Sequence, residues 1–430
     1  MAQRNTPPSW AGSSTQPYYA RPVTSSTEHR GGVRHGGAVV AVAMGGMNVA
    51  LYVFTVVAAR LLGPREYGAF ASLMAVLIVV SVLQLGIQAT AARRISADPE
   101  HVGQIEREVL RLSLRAALGV GGLLLLAAPA IDRLLHLDSL LALCAIPVTY
   151  LGGQLGVLQG ERRWWPVAVL YLASGVFRLV AGGALILWHP TDASAMAGVL
   201  VGSAVPVALG VYALRRTRDG GLVAEHHGRR PVAREILAST QTLLGFLVLM
   251  NCDVVLARTV LSEHDAGLYA AGLILTKAML FLPQFVVVVA FPSMATAHER
   301  RRALARGLTF ILVLGTAGVL ACALLPGLAL VFVGGAEYSE IRGLLWLFAV
   351  LGTVLCLLQL LVYAVLARQG TRSVVLVWVA VLVVLAVGSQ QSTVTGLLTS
   401  VVVIDSVLFA ALLLISLRRL ASPDRDSSAV

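Results

Sequence analysis

The sequence predicts an all-α polytopic membrane protein with twelve transmembrane helices in two six-helix lobes. Three observations carry this prediction. Hydrophobic residues make up 57% of the 430-residue chain and charged residues only 13%. The apolar residues fall into stretches of about twenty, the length a helix needs to cross the hydrocarbon core. Arginine is concentrated in every second gap between those stretches. In lipid each backbone N–H and C=O must find its partner within the segment, so such stretches cross as helices.

Taken in order, residues 1–35 are rich in Pro, Ser, Thr and Arg without periodicity and read as a disordered cytoplasmic tail. No short apolar core precedes a small-residue cleavage site, so a removable leader is not expected. The first lobe, 36–214, holds spans at 36–58, 67–90, 112–131, 139–159, 166–188 and 194–214. A basic cytoplasmic linker follows at 215–235. The second lobe, 236–417, holds spans at 236–261, 266–294, 308–333, 342–366, 373–388 and 393–417, and a cytoplasmic tail closes the chain at 418–430. The shortest span, 373–388, runs into the polar Ser389-Gln390-Gln391-Ser392.

Charge placement tests the count. Of 33 Lys and Arg residues, 26 lie in the termini and in or at the edges of the gaps after even-numbered spans. Only five lie in or at the edges of the other gaps: Arg60, Arg65, Arg133, Arg258 and Arg342. Cationic loops resist translocation, so the rich side is cytoplasmic and both termini face inward. The chain is thus expected in the cell membrane, in contact with the lipid bilayer. The net charge of +11 borders the spans in short loops, a pattern that suits anionic lipid and argues against nucleic acid as a partner. Cys144, Cys252, Cys322 and Cys356 all lie in apolar spans without metal spacing, and read as small packing residues.

The gap after the second span carries its own helix signal. Asp98 suits an N-cap, Pro99 the first helical position and Glu100 the first turn. Val102, Ile105, Val109 and Leu112 share a face, which predicts an amphipathic helix on the cytoplasmic interface.

The two halves repeat loosely at their heads. Span 1 ends in Ala59-Arg60, then a short turn with Glu66 leads to Gly68-Ala69-Phe70-Ala71. Span 7 ends in Ala257-Arg258, then an acidic turn leads to Gly267-Leu268-Tyr269-Ala270, with one residue more. Each half has an even number of spans, so the copies enter from the same side and are related by an axis along the membrane normal. A two-lobed bundle with a cavity between the lobes follows.

Leu61-Leu62-Gly63-Pro64-Arg65-Glu66-Tyr67-Gly68-Ala69-Phe70 resembles the opening signature of polysaccharide flippases in the MATE/MurJ-like (MOP) exporter superfamily. Asn251-Cys252-Asp253-Val254-Val255-Leu256-Ala257-Arg258 with Ala266-Gly267-Leu268-Tyr269-Ala270-Ala271 resembles the second-lobe counterpart, and Phe291-Pro292 fits as well. The resemblance implies a transporter moving lipid-linked oligosaccharides, typically on polyprenyl pyrophosphate, to the outer leaflet for surface polysaccharide biosynthesis. It also implies glycan-assembly machinery as a partner.

Ionisable residues within spans cost roughly 2.5–3.5 kcal/mol on insertion scales and so mark candidate sites. Arg178 lies near the middle of span 5, and Lys277, the only lysine, at similar depth in span 8. One reading is a cationic cavity, with Arg178 forking onto phosphate oxygens and Lys277 acting as a point charge. The other is a pair of buried ion pairs, Lys277 with Asp253 and Arg178 with Asp405, that only fix helix register. Arg60 and Arg258 end spans 1 and 7 on the outer side, where they snorkel to head groups or line an outer mouth. Asp253, aided by Asn251, and Asp405, aided by Thr393 or Thr395, are candidates for coupling to H+ or Na+.

Several classes are excluded or set second. There is no Walker A loop, no His-x-x-Glu-His and no Gly-x-Ser-x-Gly, so ATP drive and hydrolysis lack a site and no cofactor is expected. The Gly-Asp-Arg-rich loop of major facilitator porters is missing between spans 2 and 3. The chain is read as a transporter and not an enzyme. A cation-coupled exporter of small amphipathic compounds is the alternative, with a membrane-embedded polysaccharide polymerase behind it. The topology is checked with reporter fusions: alkaline phosphatase should be active after Trp188 and inactive at the C terminus. The opposite pattern would reverse the assigned orientation.

Overall fold

A computed structural model of the chain describes residues 26–135, 140–215, 228–280, 300–366 and 371–421. The first half comprises α1 (Ser26–Ala97), α2 (Val102–Leu135), α3 (Leu140–Gly160), α4 (Trp164–Trp188) and α5 (Asp192–Leu214). The second comprises α6 (Arg229–Leu249), α7 (Cys252–Val260), α8 (Glu263–Met279), α9 (Arg300–Leu324), α10 (Pro326–Val333), α11 (Leu345–Leu366), α12 (Thr371–Gly388) and α13 (Val394–Ala421). α1 folds back on itself at Gly63 and supplies two spans, whereas α6 and α7 together form one. The twelve spans therefore divide six and six into two lobes.

The fold-back has a local cause. Gly63 takes a φ of 71° and ψ of 173°, a left-handed region that side chains with a Cβ resist, and Pro64 starts the second arm at its first position. Three further helix starts are capped. The Thr191 hydroxyl accepts the Ser194 N–H at 3.2 Å, the Ser262 hydroxyl accepts the Asp265 N–H at 3.1 Å and the Thr393 hydroxyl accepts the Gly396 N–H at 3.1 Å. Trp165 and Trp188, at the two ends of α4, are 72% and 85% exposed. They are separated by about 35 Å of helix at 1.5 Å per residue, and their exposure fits the aromatic belts at the two membrane surfaces.

The lobes meet at the arginine-poor end. Gly68, opening the second arm of α1, lies against Gly267, which opens α8: a Cβ on Gly68 would stand 2.9 Å from the Gly267 backbone. A Cβ on Gly267 would stand 1.8 Å from the Pro64 carbonyl oxygen. These are matching glycines of the internal repeat, so the repeat axis passes beside this crossing. Around it, the Tyr338 hydroxyl donates to the Ala59 carbonyl at 2.7 Å, fully buried. Arg60 donates to Val331 O at 2.5 Å, and Ser72 Oγ reaches Val254 O at 3.4 Å. Glu263 pairs with Arg65 of the other lobe at 2.5 Å and with Arg258 of its own at 3.7 Å. One apolar core runs through both lobes here, from Phe54 and Phe70 to Tyr269 and Phe348. Each repeat aromatic stacks edge-on within its lobe, Phe70 on Phe54 and Tyr269 on Phe348.

At the arginine-rich end the second arm of α1 stays against α6. Arg94 pairs with Glu235 at 2.7 Å, Arg93 pairs with the same carboxylate, and Val232 and Ile236 join the core around Ile87 and Ile95. On the first arm, Val42, Met44 and Val49 are exposed while Met47 is half-buried.

The structure departs from the sequence reading at several points. The amphipathic segment after Asp98 is a 3-10 turn, Pro99–His101, running directly into α2. Its apolar face is covered by protein, with Ile105 and Val109 fully buried, because the ends of α1 and α3 reach that level. The Asp98 carboxylate binds His101 at 2.7 Å and does not cap the backbone. Span 7 is broken at Met250–Asn251. Pro326 opens a separate short helix, as a residue without an N–H does most readily at a first position. Helix extends to Ser26, Arg229 and Ala421, into segments read as tails and linker. Pro283, Pro292 and Phe291 lie outside the described residues.

The lobe crossing can be tested with a cysteine pair at Arg65→Cys and Glu263→Cys. It should cross-link readily, and adding Gly267→Val should lower the yield severalfold, since backbone-to-backbone approach leaves no room for a side chain. Unchanged yield would mean the crossing is not what holds this end shut.

Candidate functional site

Two cavities lie between mid-depth and the arginine-rich end. The first, about 300 Å³, is walled by both arms of α1 and by α3, α4 and α5. The second, about 170 Å³, is walled by α6, α7, α8 and α11, with one residue from α1. That residue, Ile78, lines both, so the cavities adjoin across the lobe interface.

Arg178 lines the first cavity from midway along α4. Its Nη2 donates to Ser203 Oγ at 3.0 Å, and its Nε is buried without a hydrogen-bond partner. Lys277 lines the second cavity from the last turn of α8. It forms no ion pair or hydrogen bond among the described residues, although it lies within the field of Asp253. Neither cavity has a carboxylate in its described lining. Each lobe therefore presents one cation, on an apolar wall, to its own cavity, and Ile78 borders both. The two ion pairs considered from sequence are not formed. Asp405 sits in the second lobe near Asp253, and not beside Arg178.

A polar strip continues from Arg178 toward the arginine-rich end. Ser174, Tyr171, Gln84 and Gln88 line the same cavity. Gln88 Nε2 donates to Tyr171 Oη at 2.7 Å and to Gln159 Oε1 at 3.0 Å. Sequence reasoning passes over these residues. The available signal was Gln84 and Gln88 four apart on an otherwise apolar helix, which places both on one face.

Asp253 and Asp405 lie behind the second cavity, buried and outside its lining. The Tyr269 hydroxyl donates to Asp253 Oδ2 at 2.9 Å. Asp253 Oδ1 and both Asp405 oxygens have no hydrogen-bond partner among the described residues. Asp253 stands in the first turn of α7, where the positive end of the helix dipole favours a carboxylate. The break before it frees backbone carbonyls, and Asn251 answers some of that need: its Nδ2 donates to Leu247 O at 2.9 Å and its N–H to Val248 O at 3.1 Å. Asn251 itself lines the second cavity beside Lys277. Broken helices at mid-depth are a recurrent form of ion and substrate sites in transporters.

Arg60 and Arg258 do not reach either cavity. They belong to the closed arginine-poor end, Arg60 on Val331 O and Arg258 on Glu263. All four cysteines are unbridged. No group of three or more His, Cys, Asp or Glu residues that could hold a metal ion occurs among the described residues.

Comparison with known proteins bears on this arrangement. The sequence profile of the family described as polysaccharide biosynthesis protein matches residues 33–298. A search of curated proteins finds no match. Among solved structures, a multidrug resistance MATE family transporter of the MOP superfamily in its inward-facing conformation is similar, with a TM-score of 0.72 at 17% identity. That match covers 90% of this chain and 100% of the other. An outward-facing conformation of a multidrug resistance MATE family transporter gives 0.63 at 15% identity, covering 91% and 95%. A MOP superfamily transporter from Pyrococcus furiosus, described as having a binding pocket of reverse polarity, gives 0.61 at 16% identity, covering 90% and 96%. With a profile match over more than half its length, the chain belongs to the polysaccharide biosynthesis protein family, and its twelve spans in two lobes share the fold of MATE transporters of the MOP superfamily.

Proposed function

We propose that this transporter flips a polyprenyl-pyrophosphate-linked oligosaccharide from the cytoplasmic to the outer leaflet by alternating access. The observation that carries the reading is the pair of adjoining cavities, each with one cation and no carboxylate in its described lining. A pyrophosphate sheds its hydration only where fixed positive charge replaces it. Arg178 offers a planar donor fork with an unspent Nε–H, and Lys277 a compact ammonium with no hydrogen-bond partner among the described residues. One grip from each lobe makes the anion a bridge, so its passage and the rocking of the lobes become one event.

The arrangement corresponds to a state open toward the arginine-rich side, which we take as cytoplasmic, with both termini there. The seam around Gly68 and Gly267 closes the other side. The head group enters the cavity while the lipid tail stays in the bilayer, and glycan-assembly enzymes at the cytoplasmic face supply it. The cation-exporter alternative places its chemistry on Asp253 and Asp405. Those residues stand behind the wall, so the cavity polarity favours an anionic cargo.

The carboxylate pair suits the coupling step instead. Two neighbouring buried carboxylates, with three oxygens lacking hydrogen-bond partners among the described residues, are completed by a proton or by a sodium ion with Asn251 at hand. Uptake or release there would alter α7 and α8, which bear Asp253 and Lys277, and so link an ion gradient to the grip on the anion.

Reconstituted protein should move a polyprenyl-pyrophosphate oligosaccharide across vesicles. Arg178→Ala or Lys277→Ala should each slow transport by roughly tenfold to a hundredfold, the range for losing a charge-assisted contact, at normal membrane levels. Wild-type rates in both variants would remove the cationic cavity from the mechanism. Imposed proton or sodium gradients should accelerate the wild type and leave Asp253→Asn unaffected. A wild type indifferent to both gradients would exclude coupling at this pair.

A further inference from the structure

Resting on the flippase reading, we propose that Tyr171, Gln88 and Ser174 form a sugar subsite that reads the first monosaccharide attached to the phosphate gripped by Arg178. The site is built and faces the cavity. Gln88 spends both protons of its Nε2, one on Gln159 and one on Tyr171, which fixes the amide and the phenol relative to each other. Because Tyr171 Oη accepts that bond, its own O–H remains an unspent donor, and no acceptor for it occurs among the described residues. Ser174 Oγ donates to the Leu170 carbonyl at 2.7 Å, which leaves its oxygen as an acceptor. A fixed donor, a fixed acceptor and the face of the Tyr171 ring are the complement of a pyranose, whose hydroxyls both give and take hydrogen bonds around an apolar ring.

The spacing agrees. Tyr171 precedes Arg178 by two helical turns, about 10 Å along α4 at 1.5 Å per residue, with Ser174 between them. That separation is comparable with the distance from a pyrophosphate to the outer hydroxyls of the sugar it carries. The described lining includes no carboxylate, so the subsite takes neutral or acidic sugars and offers nothing to a cationic one. Arg178 therefore holds what every such lipid has in common, and the strip below it holds what differs.

The test separates this subsite from the transport function it rests on. Full-length protein in nanodiscs is titrated with a short-chain polyprenyl pyrophosphate, bare or carrying a single glucose, galactose or N-acetylglucosamine. Wild type should bind at least one sugar-bearing lipid about five- to tenfold more tightly than the bare one, the effect of one or two neutral hydrogen bonds. Tyr171→Phe, which keeps the ring and the packing, should bring that ratio close to one with affinity for the bare lipid unchanged, and Ser174→Ala should lower it in part. Arg178→Ala should weaken all the lipids alike. Equal wild-type binding of bare and sugar-bearing lipids, or a ratio that survives Tyr171→Phe, overturns the subsite alone. Failure of the wild type to bind any of these lipids overturns the flippase reading with it.

Discussion

The crossing of Gly68 over Gly267 is the contact on which the rest of the structure depends. Two helices can approach backbone to backbone only where neither carries a side chain, and here the two residues are matching positions of the internal repeat. Because they meet beside the repeat axis, the contact draws both lobes together symmetrically at the arginine-poor end. Each neighbouring contact, from Tyr338 on Ala59 to Glu263 between Arg65 and Arg258, reinforces the same closure. The Tyr338 bond is buried, whereas Arg65 and Glu263 are exposed, and each contact contributes only about 1 kcal/mol net or less. A seam of several modest contacts holds one state and can still release it, which a transporter needs.

The cavities lie on the other side of that seam, at the level of Arg178 and Lys277, with the second arm of α1 still held against α6 at the arginine-rich end. The cost of a cation at that depth is several kcal/mol unless something solvates it. Neither residue has a carboxylate partner among the described residues, so the cavity and what enters it do that work. The buried Asp253 and Asp405 sit one layer behind, close enough for Asp253 to act on Lys277 through its field without neutralising it by contact.

Much of this was legible in the sequence because the bilayer imposes simple rules. Span count followed from the length of apolar stretches, and the alternation of arginine fixed their order. The depth of Arg178 and Lys277 followed from counting residues from the span ends. The repeat was visible as Gly-x-aromatic-Ala, although nothing in one sequence said that the two glycines touch. What stayed hidden depends on tertiary neighbours. The break at Met250–Asn251 has no glycine or proline to announce it, since side-chain bonding by Asn251 satisfies the freed carbonyls. The helix after Asp98 shows its apolar face, but the pattern alone cannot distinguish a lipid surface from the ends of α1 and α3. Gln88 and Tyr171 lie 83 residues apart, and only the fold brings them together.

The central claim is that an anionic, lipid-linked glycan is the cargo of the cationic cavity. Mass spectrometry of polyprenyl-linked sugars, in a strain lacking this protein and in its parent, tests it most directly. Loss of the protein should cause one complete lipid-linked oligosaccharide to accumulate, with loss of the corresponding surface glycan. An unchanged pool with a normal surface, in a strain where no second flippase operates, would contradict it and move the cavity's cargo to another class of molecule.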